Sequence, residues 1–105
     1  MAQQVNSSDF GKILQSEGVV LADFYSDTCA PCRRMAPVFS ELVEESKGSF
    51  RGVKVNVSSE SDLAARYDVM AVPTFILFKN GEESARIVGA VPKEELAEMV
   101  AQNKQ

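Results

Sequence analysis

Histidine is missing from the sequence, and so are long apolar runs. Without an imidazole, Cys–His nucleophilic catalysis and zinc sites with a histidine ligand are both excluded. No apolar run approaches the roughly 18 residues that a membrane-spanning helix needs, and the first six residues lack the basic and apolar segments of a signal peptide. We therefore expect a cytoplasmic protein without membrane contact.

Positive charge is also sparse, since 11 lysines and arginines stand against 15 aspartates and glutamates. The formal net charge is −4 and the longest basic run is Arg33-Arg34, which argues against a nucleic-acid-binding surface. Hydrophobic residues make up 45% and charged residues 25% of the chain, proportions typical of a globular protein rather than a disordered one. The length of 105 residues fits a single domain over residues 1–105.

Cysteine occurs only twice, as Cys29 and Cys32 in a Cys-Ala-Pro-Cys tetrapeptide. A disulfide that closes so short a loop stabilises a fold by only about 2 kcal/mol, so a purely structural bridge is a weak explanation. Zinc and iron–sulfur clusters use four ligands, so a metal would require a second chain or glutathione. We therefore predict a redox-active pair and no metal site.

The segments around the two cysteines indicate their place in the fold. Residues 19–25 form an apolar run typical of a buried strand, and residues 31–46 carry apolar residues at helical spacing. The cysteines therefore lie where a strand leads into a helix, with Pro31 in the first helical turn. The free N–H groups of a helix N-terminus favour a thiolate, and Arg33-Arg34 adds positive charge nearby. A lowered thiol pKa makes the first cysteine a better leaving group, as thiol–disulfide exchange requires.

The rest of the chain predicts an α/β fold. We expect further strands over residues 3–6, 53–57, 74–78 and 84–88, and further helices from residue 7 to about Gly18, around residues 63–67, and from Pro92 onward. The Ser7-Ser8-Asp9 segment is predicted to cap the first helix, and Asn80-Gly81 to form a tight hairpin turn. Right-handed βαβ crossovers make the first three strands parallel, and the hairpin makes the last two antiparallel. The prediction is a mixed sheet with helices on both faces.

Seven short motifs carry a resemblance to a known family. They are Ala22-Asp23-Phe24-Tyr25, Cys29-Ala30-Pro31-Cys32, Ala36-Pro37, Lys54-Val55-Asn56, Val72-Pro73-Thr74, Phe78-Lys79-Asn80-Gly81 and Val88-Gly89-Ala90. With these motifs in this order, the chain resembles the thioredoxin family from Phe10 to Gln102. The resemblance implies the thioredoxin fold, an α/β architecture in which four helices flank a mixed five-stranded sheet. It also implies that the protein reduces disulfide bonds in other proteins.

The resemblance assigns roles to four residues of the exchange chemistry. It implies that Cys29 is the exposed nucleophile, and that Cys32 is the buried thiol that resolves the mixed disulfide. Asp23 resembles the family's buried acid, which exchanges a proton during resolution, and Lys54 resembles the lysine that pairs with it. From the residues alone two other readings stay open: an aspartate that is only an ion-pair partner, and a lysine that is only a surface charge.

Further positions resemble the family's substrate-binding surface. Pro73 resembles its cis-proline, although most X–Pro bonds are trans, and Val72 resembles the residue that offers backbone hydrogen bonds to substrate. Gly89 resembles the glycine that lets a substrate chain approach closely. The resemblance further implies a monomer with no bound cofactor, whose partners are disulfide-containing proteins and a separate thioredoxin reductase that supplies the reducing equivalents.

Three positions in and around the active-site motif depart from the family pattern. Thr28 replaces the usual aromatic residue before the first cysteine, Ala30 replaces the usual glycine, and Tyr25 stands where tryptophan is common; the chain has no tryptophan. Thr28, Ala30 and Pro31 are expected to contact substrate, and Thr28 and Ala30 are the positions at which partner choice is expected to differ. A disulfide oxidase or isomerase, and a thioredoxin-fold binding module, are the alternative functions.

Overall fold

Residues 2–104 are described by the structure, a computed structural model, and form four helices and five strands. The elements in chain order are β1 (Gln3–Gln4), α1 (Ser7–Ser16), β2 (Val19–Tyr25), α2 (Ala30–Glu45), β3 (Arg51–Asn56), α3 (Ser61–Arg66), β4 (Thr74–Lys79), β5 (Glu82–Val88) and α4 (Lys93–Asn103). The predicted sequence of strands and helices is confirmed. Within this range no helix has the length and apolar character needed to cross a membrane.

The five strands form one mixed sheet in the order β1-β3-β2-β4-β5. β1 and β2 both run parallel to β3, β4 runs antiparallel to β2, and β5 runs antiparallel to β4. The predicted parallel and antiparallel relationships are therefore confirmed. The central strand is β2, the strand that leads into the two cysteines.

The β4–β5 hairpin turns through the predicted Asn-Gly pair. Asn80 and Gly81 both have positive φ angles, 52° and 87°. Lys79 pairs with Glu82 across the turn, so the loop has two residues and positive φ at both of them, the geometry of a type I′ turn.

Side-chain alternation along β2 divides the core between the two faces of the sheet. Val20, Ala22 and Phe24 belong to a cluster with Phe10 of α1 and Leu63 of α3. Leu21 belongs to the opposite cluster, which contains residues of α2 and α4. Because side chains alternate along a strand, Asp23 and Tyr25 lie on the same face as Leu21, which is the face covered by α2.

Several predicted boundaries need correction. The cap of α1 is Asn6, whose side chain accepts a hydrogen bond from the Asp9 amide at 2.9 Å, so Ser7 is already helical. The strand predicted over residues 53–57 runs from Arg51 to Asn56, and the strand predicted over 84–88 begins at Glu82. In both cases the residues that the alternation pattern missed are held in the sheet by pairing with the neighbouring strand.

Candidate functional site

Cys29 and Cys32 lie at the N-terminus of α2, as predicted. Cys29 is the N-cap residue and Pro31 lies in the first turn. The two cysteines form a disulfide with their Cα atoms 5.2 Å apart. The Cys32 amide donates a hydrogen bond to Cys29 Sγ at 3.2 Å, so the sulfur occupies the position that a serine or aspartate oxygen takes at other helix caps. The same N–H group and the helix dipole would stabilise a thiolate on Cys29 after reduction.

The two sulfur-bearing residues differ in their access to solvent. Cys32 is buried, with 5% of its surface exposed, whereas Cys29 is only partly buried. An incoming disulfide can therefore reach Cys29 but not Cys32. Thr28 and Ala30, two of the residues that depart from the family pattern, are exposed beside Cys29, and Pro31 is half-buried.

A second segment meets the disulfide from the other half of the chain. Cys29 Sγ lies 3.6 Å from the carbonyl oxygen of Val72, and the Val72–Pro73 peptide bond is cis, as the resemblance implies. The Gly89 amide donates a hydrogen bond to the Pro73 carbonyl at 2.8 Å, and Gly89 has a φ angle of 101°. Thr74 Oγ1 donates to the Ala71 carbonyl at 2.6 Å. The structure therefore places Val72 beside the Cys29 sulfur, with Pro73 next to it in the chain and Gly89 hydrogen-bonded to Pro73.

Two exposed apolar side chains flank this segment and were missed by sequence reasoning. Met70 is 91% exposed and precedes Val72 by two positions. Val88 is 57% exposed and pairs with Thr74 in the sheet. Nothing in the local sequence distinguishes them from core residues, because their exposure depends on the path of the α3–β4 loop and on the edge position of β5.

Asp23 is buried on the α2 face of the sheet, with 2% of its surface exposed. Burial raises the pKa of its carboxyl group from 3.8 to about 7, against a smaller opposing effect of the Lys54 charge, which lowers that pKa. The Oδ1 atom of Asp23 is buried and has no hydrogen-bond partner. The carboxyl group can therefore change its protonation state near neutral pH.

Lys54 lies beside Asp23 but does not form the direct ion pair that the resemblance implies. The two residues are register partners in the β2–β3 ladder, yet their charged groups make no contact within 4 Å in the described part of the chain. The Lys54 ammonium instead lies over the ring of Tyr25, with Nζ 4.5 Å from the ring centroid. The lysine is drawn to the face of the aromatic ring, which carries a partial negative charge.

A cavity of about 140 Å³ connects these groups to the surface. Asp23, Cys32, Tyr25, Lys54 and Arg33 are among its lining residues. The acid and the buried cysteine thus line the same small cavity. The guanidinium of Arg33 donates to the Asp27 carbonyl at 2.9 Å.

No three histidine, cysteine, aspartate or glutamate side chains between residues 2 and 104 lie close enough together to hold a metal ion. The chemical groups gathered at the site are one accessible sulfur, one buried sulfur, a buried carboxyl group and a peptide carbonyl. This set suits transfer of a disulfide between two thiol pairs.

Comparison with known proteins agrees with the family resemblance of the sequence. The thioredoxin family model matches residues 1–102. A thioredoxin of Staphylococcus epidermidis is 42% identical over 97 residues, covering 92% of each chain, and the chloroplastic thioredoxin M-type of Pisum sativum is 39% identical over 99 residues, covering 93% of this chain. The chain spans 58% of the length of the pea protein and 51% of that of thioredoxin M5 from Oryza sativa.

Solved structures agree with the fold. A thioredoxin mutant from Halobacterium salinarum superposes with a TM-score of 0.89 at 29% identity, covering 99% of this chain and 90% of the other. A thioredoxin from Plasmodium falciparum also gives 0.89, at 24% identity and 97% and 98% coverage, and supports the fold alone. From the matched family model, the sequence relatives and the paired cysteines at the start of α2, we conclude that the chain belongs to the thioredoxin family.

Proposed function

We propose that the protein reduces disulfide bonds in other proteins. The Cys29 thiolate attacks one sulfur of the substrate disulfide, which forms a mixed disulfide and releases the other substrate sulfur as a thiolate. The Cys32 thiolate then attacks Cys29 Sγ, which forms the intramolecular disulfide and releases the second substrate thiol. Two electrons pass to the substrate, and the protein ends in the disulfide form.

The observation that supports this proposal best is the unequal exposure of the two cysteines. Only Cys29 is accessible to a protein disulfide, while Cys32 is buried and its amide donates a hydrogen bond to Cys29 Sγ. Cys32 is therefore kept for the second, intramolecular step. At the helix N-terminus the Cys29 thiolate is also a better leaving group than an ordinary thiol, whose pKa is about 8.5.

Asp23 is proposed to exchange a proton with Cys32 during resolution. A buried thiol must lose its proton before it attacks, and the Asp23 carboxyl lines the same cavity with a pKa of about 7. A group whose pKa lies near the working pH is well suited to accept and return a proton. Lys54 is proposed to tune this carboxyl group through space.

Substrate binding is proposed to involve the surface around Cys29. The carbonyl of Val72 can accept a hydrogen bond from an extended substrate backbone, as in the addition of a strand to a sheet. Pro73 and Gly89 shape this surface, and Thr28, Ala30 and Pro31 form its rim. The proposed partners are disulfide-containing proteins and a thioredoxin reductase; we propose a cytoplasmic monomer without a bound cofactor.

Trapping of the intermediate tests the proposal. We expect Cys32→Ser to accumulate a mixed disulfide between Cys29 and a protein substrate such as insulin, and Cys29→Ser to form none. Non-reducing electrophoresis followed by mass spectrometry identifies the joined cysteine. Equal trapping by Cys29→Ser would contradict the assignment of nucleophile and resolving residue.

A further inference from the structure

Lys54 has two negatively polarised neighbours on the same face of the sheet. Asp23 and Tyr25 are two positions apart on β2, so their side chains lie on one face. Lys54 is the register partner of Asp23 on β3, and Asn56 is the partner of Tyr25. From this position the flexible lysine side chain can extend toward the carboxylate or toward the ring.

The structure places the ammonium over the ring. Nζ lies 4.5 Å from the Tyr25 ring centroid, while Oδ1 of the neighbouring carboxyl group is buried without a hydrogen-bond partner. Tyr25 itself is buried, with only 9% of its surface exposed, so the ring face is held in a fixed position beside Lys54. An unpaired buried carboxyl next to an available cation is unusual, since buried charges are normally paired.

We propose that Tyr25 is a positioning residue that holds the Lys54 ammonium away from the Asp23 carboxyl group. This inference rests on the proposed role of Asp23 as the proton-exchanging group. In it, the ring competes with the carboxylate for the ammonium, and the carboxyl remains able to take up and release a proton. Tyr25, which stands where tryptophan is common in the family, thereby acts on the proton-transfer step through Lys54 and not through contact with the substrate.

The electrostatics of the cavity support this reading. Cationic Lys54 from β3 and Arg33 from α2 line the cavity, together with Tyr25, Asp27 from the loop after β2 and, after reduction, the Cys32 thiol. The Arg33 guanidinium donates a hydrogen bond to the Asp27 carbonyl, and Asn56 Nδ2 donates to Asp27 Oδ2 at 3.2 Å. Lys54 is therefore the cation free to move onto Asp23, and a direct ion pair there would favour the ionised carboxylate and lower its pKa.

A carboxyl titration followed by ¹³C NMR on the oxidised protein tests the inference. We expect Tyr25→Leu to lower the pKa of Asp23 by at least about one pH unit, since opposite charges in contact typically lower a carboxyl pKa by about 1–3 units. The conservative variant Tyr25→Phe keeps the ring and should leave the titration unchanged. An unchanged pKa in Tyr25→Leu, or an equal drop in both variants, would overturn the proposal.

A Lys54→Met background tests whether Tyr25 acts by positioning the lysine or by a direct effect of the ring on the polarity around Asp23. In Lys54→Met, the additional change Tyr25→Leu should no longer lower the pKa of Asp23, because no ammonium is left to move. If the drop persists in this background, Tyr25 acts directly on Asp23 and the inference is wrong. The titration does not require turnover, so this outcome is independent of the mixed-disulfide trap that tests the proposed function.

One measurement needs no variant, in case Tyr25→Leu does not fold. A methylene group over an aromatic ring is shifted upfield in ¹H NMR. We expect the Lys54 Hε protons to be shifted upfield relative to those of exposed Lys12 and Lys104. Lys54 Hε resonances at the position of these two reference lysines would overturn the proposal.

Discussion

The carbonyl oxygen of Val72 lies 3.6 Å from the sulfur of Cys29, although the two residues are 43 positions apart in the chain. One comes from the loop before β4 and the other from the start of α2, so the site exists only when both halves of the sheet are assembled. In the proposed function, a substrate backbone paired with Val72 would be held with its disulfide next to Cys29 Sγ. Such an arrangement would align the reacting sulfur atoms, which is a large part of what such a site can contribute to rate.

The reduction potential of the Cys29–Cys32 pair should be that of a reductase. We expect a value of about −220 mV or lower, at or below the cytosolic glutathione poise, despite Thr28 and Ala30 beside the cysteines. Equilibration of the protein in defined thiol buffers measures it. A value near −180 mV or above, in the range of disulfide isomerases and oxidants, would instead support a disulfide oxidase or isomerase.

The pKa of Asp23 makes the stability of the oxidised protein depend on pH. Its pKa rises from 3.8 to about 7 on folding, so the folded state binds more protons between these values and the free energy of unfolding falls as pH rises from about 4 to 7. Each pKa unit corresponds to about 1.4 kcal/mol, so the loss approaches about 4 kcal/mol above pH 7.

Removal of the titrating group should remove this dependence. We expect Asp23→Asn to be more stable than the parent at pH 8, by up to about 4 kcal/mol, with the difference shrinking toward pH 4. Urea unfolding of both oxidised proteins from pH 4 to pH 8 measures it. A difference that stays constant over this range would show that Asp23 does not titrate there.

Thr28 should weaken contact with a reductase. Because an aromatic side chain beside the exposed sulfur would add apolar contact area, we expect Thr28→Trp to lower the KM of a bacterial thioredoxin reductase for this protein severalfold. Thr28→Ser is the matched control, since it keeps the hydroxyl that contacts Ser26 Oγ at 3.1 Å. Equal KM values for the parent and Thr28→Trp would show that position 28 does not contribute to docking.

Gly52 is required for the packing of α2 on the sheet. A Cβ atom at this position would lie 2.3 Å from a methyl group of Val43, so Gly52→Ala should lower the free energy of unfolding by about 1–3 kcal/mol. The cost should be smaller in a Val43→Ala background.

Gly11 in α1 is the matched control for Gly52. It has open space at its Cβ position, so Gly11→Ala should be neutral or stabilising by up to about 1 kcal/mol. Chemical denaturation compares the parent, the three single variants and the Gly52→Ala/Val43→Ala double variant, and equal effects at the two glycines would contradict the packing argument.

The elements around the cysteines could be predicted because their signals are local. The apolar run of β2, the helical spacing of α2 and the Asn80-Gly81 turn each lie within a few neighbouring residues. The start of β3 at Arg51 could not be predicted from alternation, because Gly52 carries no side chain to alternate and the pairing with β2 decides the boundary.

Within the site, pairs of residues were harder to predict than single residues. Asp23 is conspicuous in sequence as a lone acid in an apolar strand, but the contact of Lys54 with the Tyr25 ring depends on β2–β3 register. Likewise, Arg86 of β5 donates to the Tyr67 carbonyl at 2.7 Å at the end of α3, across 19 positions of chain. Such contacts follow from three-dimensional placement, and sequence spacing does not encode them.

The antiparallel pairing of β2 with β4 has a consequence for biosynthesis. Val19 pairs with Lys79 and Phe24 with Thr74, so the central strand finds this neighbour only after most of the chain has left the ribosome. Cys29 and Cys32 emerge well before Val72, so the Val72 carbonyl is not yet beside Cys29 Sγ at that stage. The complete site therefore forms late, when the last third of the polypeptide joins the sheet.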